Sequence, residues 1–432
     1  MTRRLLGLSF WIVVALGVAG WGGTADQSLL FHAESLGGDE VVASQGADQP
    51  FNPASVIKVA TSLLALKTLG PDYRYVTDFA CLGACTISEG KLKGDLVITG
   101  GGDPDFQAEN AWLVAQELTM LGISKISGDL VIEGVFYQGW EHGVEKRQTE
   151  PNKRARLMGG RFQQALDVSS WDRTLHAIWE DAAPRHGWLL EMTPRISFGG
   201  SVRLASADCE NLHPLVKHRS NPLTVTLKRF NTFSNNDIIR VADPIGGPAA
   251  IEVLLEGITA GLPGEIKVTT ASGERVNRLT ARQVVRLLWA FDAACRKLGL
   301  EPADILPVPG CVPGSLPRMF PRLAKGEHSR KAVVKSGTLT NTDGGVAVLA
   351  GFFQSLKGET VAFCVAAPNA GGRLTHFRLA EQDWLLDLMG SAGGADRQNC
   401  GTALAFSDTM ADTWVTRQSG ADTTHGETHA AK

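Results

Sequence analysis

Hydrophobic and polar positions fall into two textures along this chain, one strongly apolar and one of short alternating strands. From Ser28 to Glu34, and from Glu40 to Ala43 after the Gly37-Gly38 turn, the pattern is strand-like. Pro50 and Pro53 then keep the approach to Ser55 extended. Between Ser55 and Leu69 apolar residues (Val56, Ile57, Val59, Ala60, Leu63, Leu64, Ala65, Leu66) lie on most faces, which predicts a central helix. Gly70-Pro71 ends it.

The texture changes near Asp72. Lys91-Leu-Lys-Gly-Asp-Leu-Val-Ile-Thr-Gly100 and Lys125-Ile-Ser-Gly-Asp-Leu-Val-Ile-Glu-Gly134 are near copies, each a turn followed by a strand. A helix from Ala108 to Leu121 lies between them, so this stretch reads as a β–α–β insertion with its own sheet. From about Gly139 to Pro222 the chain is irregular and rich in Trp, Arg and His; Leu223 to Leu227 reads as a strand leading back. A helix is expected near Ser234, another from Gly247-Pro248 through Leu254, and an amphipathic one over Thr280 to Leu298 opened by a Thr280/Gln283 capping box. Val333 to Gly337, Gly345 to Phe353 and Thr360 to Ala366 predict strands of a buried antiparallel sheet, and Thr375 to Met389 a closing helix. Ser391 to Lys432 is small, polar and aperiodic, and reads as disordered.

The ends and the composition narrow the class. Arg3 and Arg4, an uncharged apolar run from Leu5 to Gly20 and the small residues Gly23 and Ala25 read as a signal peptide over 1–25. The run is shorter than the roughly 20 apolar residues a spanning helix needs. No later segment is apolar enough to span a bilayer, so no integral membrane segment is expected after signal removal; the signal peptide leads to the expectation of a periplasmic protein. The 432 residues carry a net charge of −3 with no basic tract, which argues against nucleic acid as a partner. Of seven Cys, Cys81 and Cys85 could close a disulfide or remain buried thiols; Cys295 and Cys364 read as core residues. There is no His-Glu-x-x-His or similar cluster, so neither metal nor cofactor is expected.

Candidate chemistry lies in three short motifs: Ser55-Val-Ile-Lys58, Ser234-Asn-Asn236 and Lys335-Ser-Gly-Thr338. A serine hydroxyl needs a base before it can act as a nucleophile. Lys58 shares a helix face with Ser55, and an apolar helix disfavours its ammonium form. The Ser55 N–H lies in a first turn, where an unsatisfied amide can stabilise an oxyanion. Ser88-Glu-Gly-Lys91 matches the same spacing but lies in a turn. Taken singly, each motif has a plainer explanation: a helix cap with a snorkelling lysine, an N-cap, and an edge strand guarded by a lysine. Their order and their placement on helix start, loop and strand favour a single site.

With these residues the chain resembles the class C low-molecular-mass penicillin-binding proteins, the D-alanyl-D-alanine carboxypeptidase/endopeptidase family. Phe51-Asn-Pro-Ala-Ser-Val-Ile-Lys58, Leu69-Gly-Pro-Asp-Tyr-Arg74, Gly100-Gly-Gly-Asp-Pro104 and the long gap between Ser55 and Ser234 carry the likeness beyond the triplet. The resemblance implies an α/β (α+β) penicillin-recognising, β-lactamase-like domain, an antiparallel sheet with helices on both faces, formed by 26–72 and 223–390. A β-rich inserted part, 73–222, would interrupt it. It implies Ser55 as nucleophile, Lys58 as base, Ser234 and Lys335 as a proton relay and Asn236 on the substrate amide. The N–H groups of Ser55 and Thr338 would form the oxyanion hole. Ser336, Gly337 and Thr338 would bind the terminal carboxylate region. Partners would be peptidoglycan stem peptides and β-lactams. Lys-Ser-Gly here stands for the family's Lys-Thr-Gly, Ser-Asn-Asn for Ser-Asp-Asn, and Thr270-Ala-Ser-Gly273 for an Asp-Gly-Ser-Gly segment whose acid is missing. A β-lactamase or esterase on the same fold, or a non-catalytic wall-binding relative, are the competing readings.

Overall fold

The structure is a computed structural model that describes residues 28–36, 40–207, 209–311, 314–401 and 414–417. The expected signal peptide, 1–25, lies outside the described residues. The chain opens with β1 (Leu30–Ser35) and β2 (Val41–Gln45), then a 3-10 turn, Ala54–Ile57, that runs into α1 (Lys58–Leu69). β3 (Val76–Ser88), β4 (Lys91–Gly101), α2 (Ala108–Met120), β5 (Lys125–Ile126) and β6 (Leu130–Val135) follow. α3 (Pro151–Leu166), α4 (Arg173–His186), β7 (Ser197–Phe198), β8 (Val202–Leu204) and β9 (His213–Arg219) come next. Then come α5 (Leu223–Thr232), α6 (Ile239–Ala242), α7 (Gly247–Ile258), α8 (Ala281–Lys297), α9 (Leu316–Met319) and α10 (Pro321–Ala324). β10 (Val333–Leu339), β11 (Val346–Gln354), β12 (Thr360–Pro368), α11 (Leu374–Ser391) and β13 (Trp414–Arg417) finish the chain.

One sheet is antiparallel, in the order β10-β11-β12-β1-β2. Both of its faces are buried, which is why β11 and β12 read as unbroken apolar runs rather than alternating ones. Val348, Ala350, Phe352 and Cys364 join a core with Val59, Leu63 and Leu66 of α1 and Leu287 and Phe291 of α8. Leu349, Phe353, Phe363 and Val365 pack on the other face against Phe377, Trp384 and Leu388 of α11. Each fully buried Leu or Phe here stabilises the fold by about 1.5–3 kcal/mol. Thr280 and Gln283 close the expected capping box of α8. Cys295 and Cys364 are buried free thiols.

The second sheet holds eight strands, with its own core of Phe79, Leu96, Phe106, Ile132 and Phe162. Its near copies lie side by side, parallel and in register: Lys91 pairs with Lys125 and Leu96 with Leu130. A third, degenerate copy, Ser197-Phe-Gly-Gly-Ser-Val-Arg-Leu204, continues the series, with Ser197 opposite Lys125 and Val202 opposite Leu130. At each step a glycine amide donates to the glycine carbonyl before it, Gly128 to Gly94 and Gly200 to Gly128, both at 3.0 Å. Cβ atoms at Gly128 and Gly200 would come within 2.6 and 2.5 Å of those carbonyls, so only glycine permits the stacking.

Two stretches differ from expectation. Residues 139–222 are more regular than their composition suggests: they hold α3, α4 and three strands, and Trp171, Trp179 and Trp188 cluster around Trp112. Leu223 to Leu227 is the start of α5, not a strand. Its Thr and Val residues favour strand locally, but Leu223, Leu227 and Phe230 fall on one helical face and enter the α1 core.

Cys81 pairs with Cys85 and Cys311 with Cys400. The second bridge orders the start of the stretch 391–432, most of which lies outside the described residues. Described residues reach Gly401, Cys400 is bridged, and β13 pairs with β9. The buried Lys228 amine helps to fix this end, donating to the carbonyls of Ala303 (2.5 Å), Leu306 (2.8 Å) and Cys400 (3.3 Å).

Candidate active site

Ser55 sits in the 3-10 turn and Lys58 at the first residue of α1, so the turn delivers both to one face. The Lys58 Nζ donates to Ser55 Oγ at 2.8 Å, to Asn236 Oδ1 at 2.8 Å and to the Ser272 carbonyl at 2.6 Å. Lys58 is fully buried while Ser55 is half-buried. Burial holds the Lys58 amine well below the usual lysine range; the Lys335 cation lowers it further and Glu274 opposes both. An amine biased toward losing its proton therefore lies at hydrogen-bond distance from a hydroxyl. Ala54, just before Ser55, is in the left-handed region at φ 47°. That conformation costs an L-residue about 1–2 kcal/mol. Asn52 Oδ1 accepts the Ala54 N–H at 3.1 Å and holds the turn in place.

The other motifs meet this pair. Ser234 is itself left-handed, at φ 49° between α5 and the next turn. Its Oγ accepts from the Lys335 Nζ at 3.0 Å, and the same amine donates to the Ser336 carbonyl at 2.7 Å. Burial brings Lys335 down to about 7. Ser88 and Lys91 lie on β3 and β4 of the second sheet, away from this cluster.

β10 is an edge strand, and its free edge faces the Ser55 turn. The Val334 N–H leaves the sheet to reach the Pro307 carbonyl, so the two-residue period turns the Ser336 and Thr338 amides to the same open edge. The Ser55 N–H donates no hydrogen bond among the described residues. A Cβ on Gly337 would lie 2.7 Å from the Pro53 carbonyl and 3.2 Å from the Ser55 nitrogen. Glycine there lets the strand close onto the turn and brings two amides to one side of Ser55. The same period puts the Ser336 and Thr338 side chains on the opposite face from Lys335. Ser336 Oγ lies 3.8 Å from the Met319 sulfur, and Thr338 Oγ1 accepts from Arg378 of α11 at 3.0 Å.

The structure adds groups that the motifs did not mark. The Asp237 carboxylate, next to Asn236, accepts the N–H groups of Glu141 (2.8 Å), His142 (3.1 Å) and Gly143 (3.0 Å). Residues 141–144 thus form a strap tied to the Ser234 motif. Buried Arg240 of α6 backs it, 3.0 Å from Glu141 and stacked on the Tyr137 ring at 4.1 Å. Beyond Gly273, Glu274 restores an acid to the segment read as lacking one, taking the Ser272 hydroxyl at 2.8 Å. A reading that stopped at Gly273 passed over it, while nothing in the sequence marked Arg378. Among the described residues no group of three or more His, Cys, Asp or Glu could hold a metal ion. No described helix is long and apolar enough to cross a membrane.

Comparison with known proteins agrees on one family. The "D-Ala-D-Ala carboxypeptidase 3 (S13) family" model matches residues 26–152 and 191–378. Carboxypeptidase DacB of Mycolicibacterium smegmatis is 27% identical over 359 residues, 76% of this chain and 73% of that protein. The D-alanyl-D-alanine carboxypeptidase DacB of Haemophilus influenzae is 29% identical over 114 residues, 26% of this chain and only 23% of that protein. Among solved structures, a predatory peptidoglycan endopeptidase from Bdellovibrio bacteriovorus superposes with a TM-score of 0.71 at 20% identity, covering 90% of this chain and 98% of that one. That likeness extends the shared fold across the stretch between the two matched segments. With the family model covering most of both sheets and all three motifs, the chain belongs to the D-Ala-D-Ala carboxypeptidase 3 (S13) family.

Proposed function

We propose that this protein is a serine-type D-Ala-D-Ala carboxypeptidase or endopeptidase that cleaves peptidoglycan stem peptides through a Ser55 acyl-enzyme. The observation that carries the reading is the buried Lys58 amine, held away from its charged form and 2.8 Å from Ser55 Oγ. Neutral Lys58 takes the Ser55 proton as Oγ attacks the carbonyl of the scissile bond. The Ser55 and Thr338 amides receive the developing oxyanion. Ser234, hydrogen-bonded to Lys335, passes a proton to the departing amine, and Asn236 holds the substrate amide. Water then releases the acyl group and returns a hydrogen to Ser55. The terminal carboxylate meets Thr338, behind which the Arg378 guanidinium already stands. Gly337 keeps that edge open. Ser336, turned toward Met319, serves through its backbone.

β-Lactams would react at the same serine and persist as acyl-enzymes; one Bdellovibrio endopeptidase of this fold is described as penicillin G-acylated. The substrate class and residues 1–25 support a periplasmic location. In the same reading residues 26–72 and 223–390 form the catalytic part and 73–222 the insertion. Intact-mass measurement after penicillin treatment tests the assignment: one adduct is expected on the wild type and none on Ser55→Ala. An adduct on Ser55→Ala overturns it, and rapid penicillin turnover would make the protein a β-lactamase instead. Digestion of purified muropeptides then separates removal of a terminal D-Ala from cutting of cross-links.

A further inference from the structure

Glu274 occupies a position that neither the motifs nor the family match assigns, and two hydrogen bonds converge on it. Its Oε2 accepts the Ser272 hydroxyl at 2.8 Å and the Val144 N–H at 3.0 Å. The Ser272 carbonyl, on the same residue, holds the Lys58 amine at 2.6 Å and lies 3.4 Å from Ser55 Oγ. The carboxylate reaches this place because residue 143 is glycine. A Cβ there would fall 2.1–2.4 Å from the Glu274 carboxyl atoms, and Gly143 is left-handed at φ 103°. The strap therefore has a cradle shaped for this carboxylate. Two acids divide the strap between them: Asp237 takes the N–H groups of 141–143, and Glu274 takes that of 144.

We propose that Glu274 is a positioning residue for acylation: its carboxylate sets the charge balance at the Lys58 amine and clamps the strap to the segment that holds Lys58 and Ser55. The proposal rests on the reading of Ser55 as nucleophile and Lys58 as base. The charges that bear on Lys58 are Lys335 from β10, which disfavours its proton, and Glu274, which favours it. Nearby charges are otherwise engaged or exposed. Asp237 is taken up by backbone amides, Glu141 pairs with Arg240, and His142, Glu145, Lys146 and Arg275 face solvent. Among the described residues Glu274 is thus the acid that offsets the Lys335 charge at Lys58, and the same carboxylate holds the strap.

The sign of the test follows. Acylation needs neutral Lys58, so its rate rises as Lys58 loses its proton. Removing the Glu274 charge makes that proton easier to lose and moves the acid limb of the rate profile to lower pH. The experiment is the rate of Ser55 labelling by a fluorescent penicillin against pH, for the wild type, Glu274→Gln, Glu274→Asp and Glu274→Ala. Glu274→Gln keeps the acceptor oxygen and is expected to shift the limb down by about one pH unit. Glu274→Asp, which keeps the charge, should stay near the wild-type limb. Glu274→Ala should show the downward shift together with a slower plateau, about tenfold, as the strap loosens. A Glu274→Gln or Glu274→Ala profile that overlays the wild type overturns the proposal, as does a Glu274→Asp limb displaced like that of Glu274→Gln. If a variant fails to fold, the remaining ones decide by the same criterion. A wild type that takes no label at Ser55 fails the functional reading itself, and is told apart because no profile exists to compare.

Discussion

Lys58 and Lys335 are both wholly buried, and the Lys335 charge makes Lys58 harder to protonate. Two amines thus share one small site in which neither is comfortable as a cation. One lies 2.8 Å from the Ser55 hydroxyl, the other 3.0 Å from the Ser234 hydroxyl.

Replacing Lys335 by Met separates these roles. Acylation is expected to fall by about 10²–10⁴-fold as Ser234 loses its partner. The acid limb of the residual rate should move up in pH, because Lys58 has lost a repelling neighbour. Stability should respond oppositely to activity. Between pH 7 and 10.5 the unfolded chain holds a proton on Lys335 that the native state lacks, so wild-type stability rises with pH through that window. Lys335→Met should be more stable than wild type at pH 7 and should have a flatter stability profile. Labelling kinetics and thermal unfolding from pH 6 to 10 check both.

Gly337→Ala tests how closely β10 must approach the Ser55 turn. The new methyl would meet the Pro53 backbone carbonyl at 2.7 Å, which no side-chain rotation can relieve, so the strand or the turn must move. A destabilisation of about 1–3 kcal/mol is expected. Labelling should fall by about 10²-fold or more, because an oxyanion donor is displaced. Unchanged labelling would show that the two amides need not converge.

Arg240 and Glu141 form a buried pair behind the strap, with side chains 0% and 2% exposed. Arg240→Met leaves the Glu141 carboxylate buried without that partner, a loss of about 3–5 kcal/mol. Changing both, as Arg240→Met with Glu141→Gln, should recover part of it. Denaturant unfolding of the two singles and the double measures the coupling, and additive losses would rule the pairing out.

The Cys311–Cys400 bridge spans 89 residues and ends where the Lys228 amine meets the Cys400 carbonyl. Its removal should cost about 2–4 kcal/mol. A Cys311→Ser, Cys400→Ser variant should melt several degrees lower and lose most of its sensitivity to reductant, while the wild type with reductant should fall to match it. A melting point that the two serines leave unchanged would show that the hydrogen bonds from Lys228, Arg330 and Lys331 secure this end without the bridge.

The central helix was readable because apolar residues fall on most faces between Ser55 and Leu69 and Gly70-Pro71 ends the run. Leu223 to Leu227 was misread because Thr and Val favour strands over short windows, while the helix is set by Leu223, Leu227 and Phe230 meeting the α1 core. The three motifs could be found by spacing, and their meeting depends on long-range packing that spacing does not contain. The direction of the Ser336 hydroxyl was in principle available: a strand that turns Lys335 toward the cleft must turn Ser336 away. The strap was hidden because its hold on Asp237 is made by backbone amides, which leave no trace in residue type. The third copy of the inserted repeat kept the stacking glycine at Gly200 and apolar residues at Phe198, Val202 and Leu204, but Arg203 replaces a valine and the letters that made the first two alike are gone.

That series of copies also gives the insertion a direction of growth. Each step is held by the one before it, through a glycine amide and a glycine carbonyl, and its outermost strands, β7 and β8, touch α3 and the preceding step. Nothing in this bonding scheme refers to the cleft. A step gained or lost at that end would lengthen or shorten the insertion like a ruler and leave the strap and the Ser55 turn in place. The length of the insertion can therefore change in units of one tread, independently of the Ser55 turn.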